Sequence, residues 1–232
     1  MRAVAIDAVG RDVSAGAALA RARLRCRPFA LVCLLCLMLA AAAGIIERAV
    51  APAGAADRTI IAITRLVLPL TCFAITRIGL GPNSLRDATW PAARYGARRR
   101  HVALGSVSMI ALASMLLAIA SSTLGLLFAY RGASSDLVTT GWIVALSAGS
   151  YTALLAFATS FGRNGGGRWF ALIGDLALGS GAGGFAVVWP RSHTRNLIGD
   201  GSVLALTQAQ SSALMLGMFT LLLALCFARS GD

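Results

Sequence analysis

The sequence predicts an all-α protein: a polytopic membrane bundle of about six crossing helices with both termini in the cytoplasm. Three observations carry this. Hydrophobic residues make up 57% of the chain and charged residues only 13%, about half the charged share of a soluble domain. The apolar residues fall in runs of about 18 or more, the length that a hydrocarbon core demands. Arginines collect on alternate loops between those runs, as the positive-inside rule requires.

The first element, residues 1–27, carries six arginines and the acids Asp7 and Asp12. Its alanine-rich part, 13–24, predicts an amphipathic helix lying along the membrane surface. The first span follows at 29–46. A basic start, an apolar stretch and the small residues 40–43 also fit a cleaved signal peptide, but the long basic segment and long apolar run favour a retained span.

The second span is 60–80, interrupted by Arg65 and Arg77, which snorkel toward opposite interfaces. Twelve residues apart, they do not share a helix face. Gly81-Pro82-Asn83 ends the helix. A polar loop at 84–101 leads to the third span, 102–121, whose pattern allows a tilted continuation to Tyr130. After a polar turn at 131–136 come the fourth span, 137–161, and a glycine-rich connector, 162–168. The fifth span, 169–189, is closed by Pro190. A polar stretch, 191–202, precedes the sixth span, 203–228.

The N-terminal segment, the 84–101 and 162–168 loops and the tail hold fourteen of the 21 arginines; the three opposite loops hold five. This asymmetry places the termini in the cytoplasm and the chain in the cell inner (cytoplasmic) membrane as a multi-pass protein.

The same composition excludes several chemistries. The net charge of +12 comes wholly from arginine, since the chain has no lysine. P-loop phosphate binding and Schiff-base catalysis are thereby removed. The high pI does not predict nucleic-acid binding, because the arginines flank spans, where topology and anionic membrane lipids account for them. Of the five cysteines, Cys33 and Cys36 have a C-x-x-C spacing, but their leucine-rich flanks make them small hydrophobes rather than a redox or metal pair. Gly179-Ser180-Gly181 invites comparison with a rhomboid-like serine–histidine dyad. Leu178 stands where that motif needs glycine, and His101 and His193 are expected outside the membrane. No catalytic, cofactor-binding or metal-binding residues are assigned.

Two groups of residues remain. Within the fifth span, Asp175 precedes Gly179, Gly181, Gly183 and Gly184. Such glycine density suits close helix packing or a broken, re-entrant segment. Asp175 is then either an ion or substrate contact or a polar interhelical bond to Arg168 or a serine. In the fourth span, Ser147, Ser150 and Tyr151 form a polar stripe at i, i+3 and i+4, which lines a pathway or packs on a neighbour. The second group is the basic loop bearing Trp90, Arg94, Tyr95, Arg98, Arg99 and Arg100. It reads as an anchor on anionic lipid or as the contact surface of a cytoplasmic partner, with Trp90 and Tyr95 as aromatic anchors.

The basic N-terminal segment, six spans and the Arg94-Tyr95-Gly96-Ala97-Arg98-Arg99 loop resemble ABC-2 type transporter permeases. The stretches from Phe161 to Arg168 and from Pro190 to Gly199, with Asp175 and Leu178-Gly179 between, are similar to ABC-2-like proteins of GC-rich bacteria. The resemblance implies an exporter subunit that dimerises with itself or a second permease and recruits a separate ABC-type ATPase, which binds the ATP. The N-terminal segment and the 84–101 loop would relay ATPase closure to the spans. The modest polarity of the spans suits a lipid or hydrophobic cargo. The competing readings are a non-catalytic membrane scaffold or assembly protein, an intramembrane enzyme and a secondary transporter; the inverted repeat expected of the last is not found between the two halves.

Overall fold

The computed structural model describes residues 2–129, 137–181 and 183–231. The turn expected at 131–136, and Tyr130, lie outside the described residues. Among the described residues, ten α-helices form the fold: α1 (Arg2–Leu24), α2 (Arg27–Val50), α3 (Ala55–Ala62), α4 (Leu68–Leu80), α5 (Leu85–Ala93), α6 (Arg99–Ala129), α7 (Leu137–Ala158), α8 (Gly167–Leu178), α9 (Pro190–Leu197) and α10 (Gln208–Arg229). No strand occurs among the described residues.

Among the described residues, five helical runs are long and apolar enough to cross a bilayer: α2, the run Ala55–Ala93 (through α3, α4 and α5), α6, α7 and α10. The sequence predicts six, and the difference lies at 169–189. That stretch is not one continuous helix. Helix α8 ends at Leu178 after 12 residues, roughly 18 Å of rise, well short of a hydrocarbon core of about 30 Å. The glycines after it give no side chain to pack and favour non-helical backbone, and a 3₁₀ turn over Gly184–Val188 leads into α9.

Helix α6 is the hub. It spans 31 residues, and α1, α2, α4, α7 and α10 all pack on it. Close approach requires small residues at the crossings. On α2, only Cys36, Ala40 and Gly44 are buried, one residue per turn on a single face. A Cβ at Gly44 would collide with the Gly125 carbonyl of α6. Leu31, Leu34, Leu35, Met38 and Leu39 stay exposed on the other faces, as a helix requires when lipid is its solvent.

Helix α1 is not a free surface helix. Gly16, Ala20 and Leu24 are buried at i, i+4 and i+8, and Gly16 lies so close to α6 that a Cβ would strike the Val102 carbonyl. A Cβ at Gly105 would strike the Val13 carbonyl in return. Ser106 Oγ also donates to the Gly16 carbonyl at 2.9 Å. The surface helix predicted for 13–24 is thus docked on the first turns of α6.

Helix α10 begins five residues later than the predicted sixth span. Thr207 and Gln210 form a capping box: Gln210 N–H donates to Thr207 Oγ1 (3.2 Å) and Thr207 N–H to Gln210 Oε1 (2.8 Å). These two bonds satisfy donors that a helix start leaves free.

Candidate functional site

The six residues of the basic loop do come together at one end of the bundle. Ser84 caps α5 by accepting from Asp87 N–H at 3.3 Å. The short helix carries Trp90 outward, and a turn at Gly96 (φ +88°) returns the chain to α6. Tyr95 is 89% exposed and Trp90 53%. Arg94, Arg98 and Arg100 are exposed around them, and Arg99 places its guanidinium carbon 5.2 Å from the Trp90 ring centre, within cation–π range. Arg100 lies 5.5 Å from the Phe227 ring, which ties the platform to the last turns of α10. A large aromatic held exposed among arginines on ordered backbone suits recognition rather than core packing.

Helix α1 completes this surface. Asp12 Oδ2 accepts from Arg98 N–H at 3.2 Å and lies 3.6 Å from His101 Nδ1. An open groove of about 500 Å³ runs between α1 and the turn, lined by Ala8, Arg11, Asp12, Tyr95, Gly96 and Arg98. Beneath it, Arg23 on α1 donates to the carbonyls of Gly79 (3.2 Å), Leu80 (3.3 Å) and Ala88 (2.9 Å). The first two are orphan acceptors at the end of α4, and the third belongs to α5. One guanidinium therefore fastens α1 to both neighbours of the exposed loop. Burial lowers its pKa, yet arginine starts so far above neutrality that it stays charged.

Arg168 does the same work from α8. It donates to the carbonyls of Gly81, Pro82 and Asn83 at 3.0–3.1 Å and to Gly165 at 2.9 Å. It is not the partner of Asp175, as the sequence suggested. Seven residues separate them, roughly 10 Å of helix, and Arg168 lies beside the carbonyl-rich turn after α4 instead.

The stripe of α7 faces α8, α9 and α10. Tyr151 Oη donates to Asp175 Oδ2 at 2.9 Å, and Arg191 N–H donates to Asp175 Oδ1 at 3.1 Å. Ser147 Oγ lies 2.9 Å from Thr194 Oγ1. Ser150 Oγ donates to the carbonyls of Leu146 (2.9 Å) and Met215 (3.1 Å). All four predicted residues, Asp175, Ser147, Ser150 and Tyr151, are at most 1% exposed. They form a closed polar seam in which every one has a partner, as buried polar groups in lipid require.

His193 extends the seam from within the bundle. It is fully buried, with Nε2 2.8 Å from the Val187 carbonyl and Nδ1 3.4 Å from Ser211 Oγ. Asn196 Nδ2 also donates to Ser211 Oγ, at 2.7 Å. Among the described residues, no three His, Cys, Asp or Glu side chains converge as metal ligands, and the cysteines are free. Cys36 lies in the α2 interface, 3.1 Å from Ser121 Oγ.

Five helices of this length and apolarity make the chain a helical membrane protein, with a basic platform at one end and a sealed polar seam inside. It matches no protein-family model, no curated protein and no solved structure.

Proposed function

We propose that the chain is the permease subunit of an ABC-2-like exporter, lying in the cytoplasmic membrane and driven by a separate ATPase. The observation that carries this reading is the platform: exposed Trp90 and Tyr95 among arginines, built on a short helix whose backbone is fastened to α1 and α4 through Arg23. A force applied at Tyr95 reaches α4 and α6 through helix ends and not through a slack loop. That is the rigid linkage needed for a bistable switch driven by nucleotide.

In this reading the platform faces the cytoplasm. The α8–α9 pair supplies the sixth crossing as two half-helices of 12 and 8 residues, together the roughly 20 residues of a span. Both termini then share the cytoplasmic side, in agreement with the arginine asymmetry. In this reading the permease works with a second copy or a second permease.

Affinity purification in mild detergent tests the proposal. An ATPase subunit recovered in near-equal amount, and lost when Arg98, Arg99 and Arg100 are replaced by alanine, supports it. Recovery without any ATPase, under conditions that preserve a known transporter complex, favours a membrane scaffold instead.

A further inference from the structure

At the opposite end of the bundle lies a second cluster of arginines that the proposed function does not use. A cleft of about 570 Å³ is lined by Glu47, Arg58, Arg65, Leu66, Arg191 and Asp200. Arg58 Nε donates to Glu47 at 2.7 Å. Arg65 Nη2 lies 2.6 Å from Asp200 Oδ2, and Arg195 Nε shares that oxygen at 3.3 Å. Two carboxylates thus pair with three arginines, and Arg191 makes a fourth guanidinium at the cleft, so four positive groups face two negative ones. Among the described residues the Arg191 guanidinium makes no ion pair. Its Nη1 donates to the Arg65 carbonyl at 3.0 Å, and its Nε is buried with no partner among the described residues.

The backbone explains this geometry. Residues Ile63–Val67 form a π-helical turn between α3 and α4, a local form often found at functional sites. Pro69 follows, and it has no N–H to give to the carbonyl four residues earlier. That carbonyl belongs to Arg65, and it is the one Arg191 takes up. The widened turn sets Arg65 on the cleft and leaves Leu66 58% exposed beside it.

Leu66 also lines a second cavity. This groove of about 390 Å³ runs between α2 and α4 and is bounded by Val32, Leu35, Leu39, Leu66, Leu70 and Ala74. From Leu66 to Ala74 it follows roughly 12 Å of helix toward the middle of the bundle, with nothing charged along its wall. A cationic cleft and an apolar groove therefore meet at one residue, on the surface that α2 and α4 turn to lipid.

We propose that this composite site binds one anionic phospholipid, its phosphate in the Arg58–Arg65–Arg191 cleft and an acyl chain in the α2–α4 groove. Arginine suits the headgroup because its planar donors match phosphate oxygens. The groove excludes a headgroup but accepts a hydrocarbon chain at no polar cost. The occupant is set by the charge excess joined to the apolar wall, and the site stands whether or not an ATPase is recruited at the other end.

Native mass spectrometry of delipidated protein in detergent tests this, with phosphatidylglycerol, phosphatidylcholine, glycerol 3-phosphate and inorganic phosphate as probes. Phosphatidylglycerol is expected to bind at least about tenfold more tightly than phosphatidylcholine, a step of one well-made charged contact. Arg191→Gln is expected to erase that preference. Leu66→Trp, which fills the groove and leaves every charge in place, is expected to weaken phosphatidylglycerol about tenfold, while Leu116→Trp on an exposed face of α6 leaves it unchanged. Equal binding of the two lipids overturns the proposal, as does equal loss in the two tryptophan variants. Binding of glycerol 3-phosphate or inorganic phosphate as tight as that of phosphatidylglycerol also overturns it, since the cleft then takes a soluble anion and the groove plays no part.

Discussion

Arg191 N–H donates to Asp175 Oδ1 at 3.1 Å, and this one bond sets the start of α9 on the last turn of α8. Gly179 permits the contact, because a Cβ there would lie 2.8 Å from the Arg191 Cβ. The described residues between them, 179–181 and 183–189, leave the helix line and return. Asp175 thus spans a break in a helix pair, satisfying a free donor at the second helix's start while Tyr151 holds its other oxygen.

Substitutions at Asp175 should separate a structural role from a transport role. Asn can keep both bonds, accepting from Arg191 and facing the Tyr151 hydroxyl, so Asp175→Asn is predicted to change stability by less than about 1 kcal/mol. Asp175→Leu abandons both partners and should cost about 2–4 kcal/mol. Tyr151→Phe should cost about 1–2 kcal/mol, above the average for interhelical bonds in membranes, because it leaves a buried acceptor short of a donor. Denaturant unfolding in detergent micelles measures all three. Normal stability of Asp175→Asn with lost export would assign the carboxylate a role in transport.

Gly105→Leu should undock α1 from α6, because a side chain there collides with backbone that cannot move aside. Overpacking at a contact of this kind costs about 1–3 kcal/mol. Trypsin reports it: Arg21 and Arg25 are exposed but held in or beside a docked helix, and cleavage there should accelerate several-fold in the variant. An unchanged cleavage rate would mean that the Gly16–Gly105 crossing does not hold α1 in place.

Arg23→Gln should cost about 1.5–3 kcal/mol, the range for hydrogen bonds from a charged donor, whereas Arg21→Gln on the exposed face should fall within about 0.5 kcal/mol of wild type. Thermal melts of the two variants side by side check the contrast. Equal melts would show that the carbonyls of Gly79, Leu80 and Ala88 find water as readily as arginine.

Thiol labelling in intact cells checks the crossing count. In a chain with its five cysteines replaced, Gln208→Cys should react with a membrane-impermeant reagent from outside, and Arg94→Cys only after the membrane is opened. Both positions are exposed. Labelling of both from one side would remove α8–α9 as a crossing, and labelling of position 94 from outside with position 208 protected would reverse the bundle.

Much of the bundle was legible in the sequence. The apolar runs locate α2, α4, α6 and α7, and Gly81-Pro82-Asn83 marks the end of α4. The broken fifth span was half legible: the glycine cluster and Pro190 are visible breakers, but the hydropathy of 169–189 is continuous and hides the end of α8 at Leu178. The start of α10 carried a readable signal in Thr207-x-x-Gln210, which an apolar run beginning at Val203 overshadowed. The seam's residues were legible as buried polar groups, but not the pairing of Tyr151 with Asp175, which depends on how far α8 advances beside α7. The roles of Arg23 and Arg168 left no trace in the sequence. Their acceptors are backbone carbonyls, which every residue type possesses.

A photo-crosslinking amino acid placed at Tyr95, the most exposed aromatic of the platform, tests the central claim most directly. Irradiated in cells, it is predicted to give one main adduct with a chain carrying an ABC-type nucleotide-binding motif. The same probe at exposed Val138, at the other end of the bundle, should give no such adduct. Crosslinks from position 95 to lipid alone, with the protein at native abundance, would contradict the account and leave the platform as a membrane anchor.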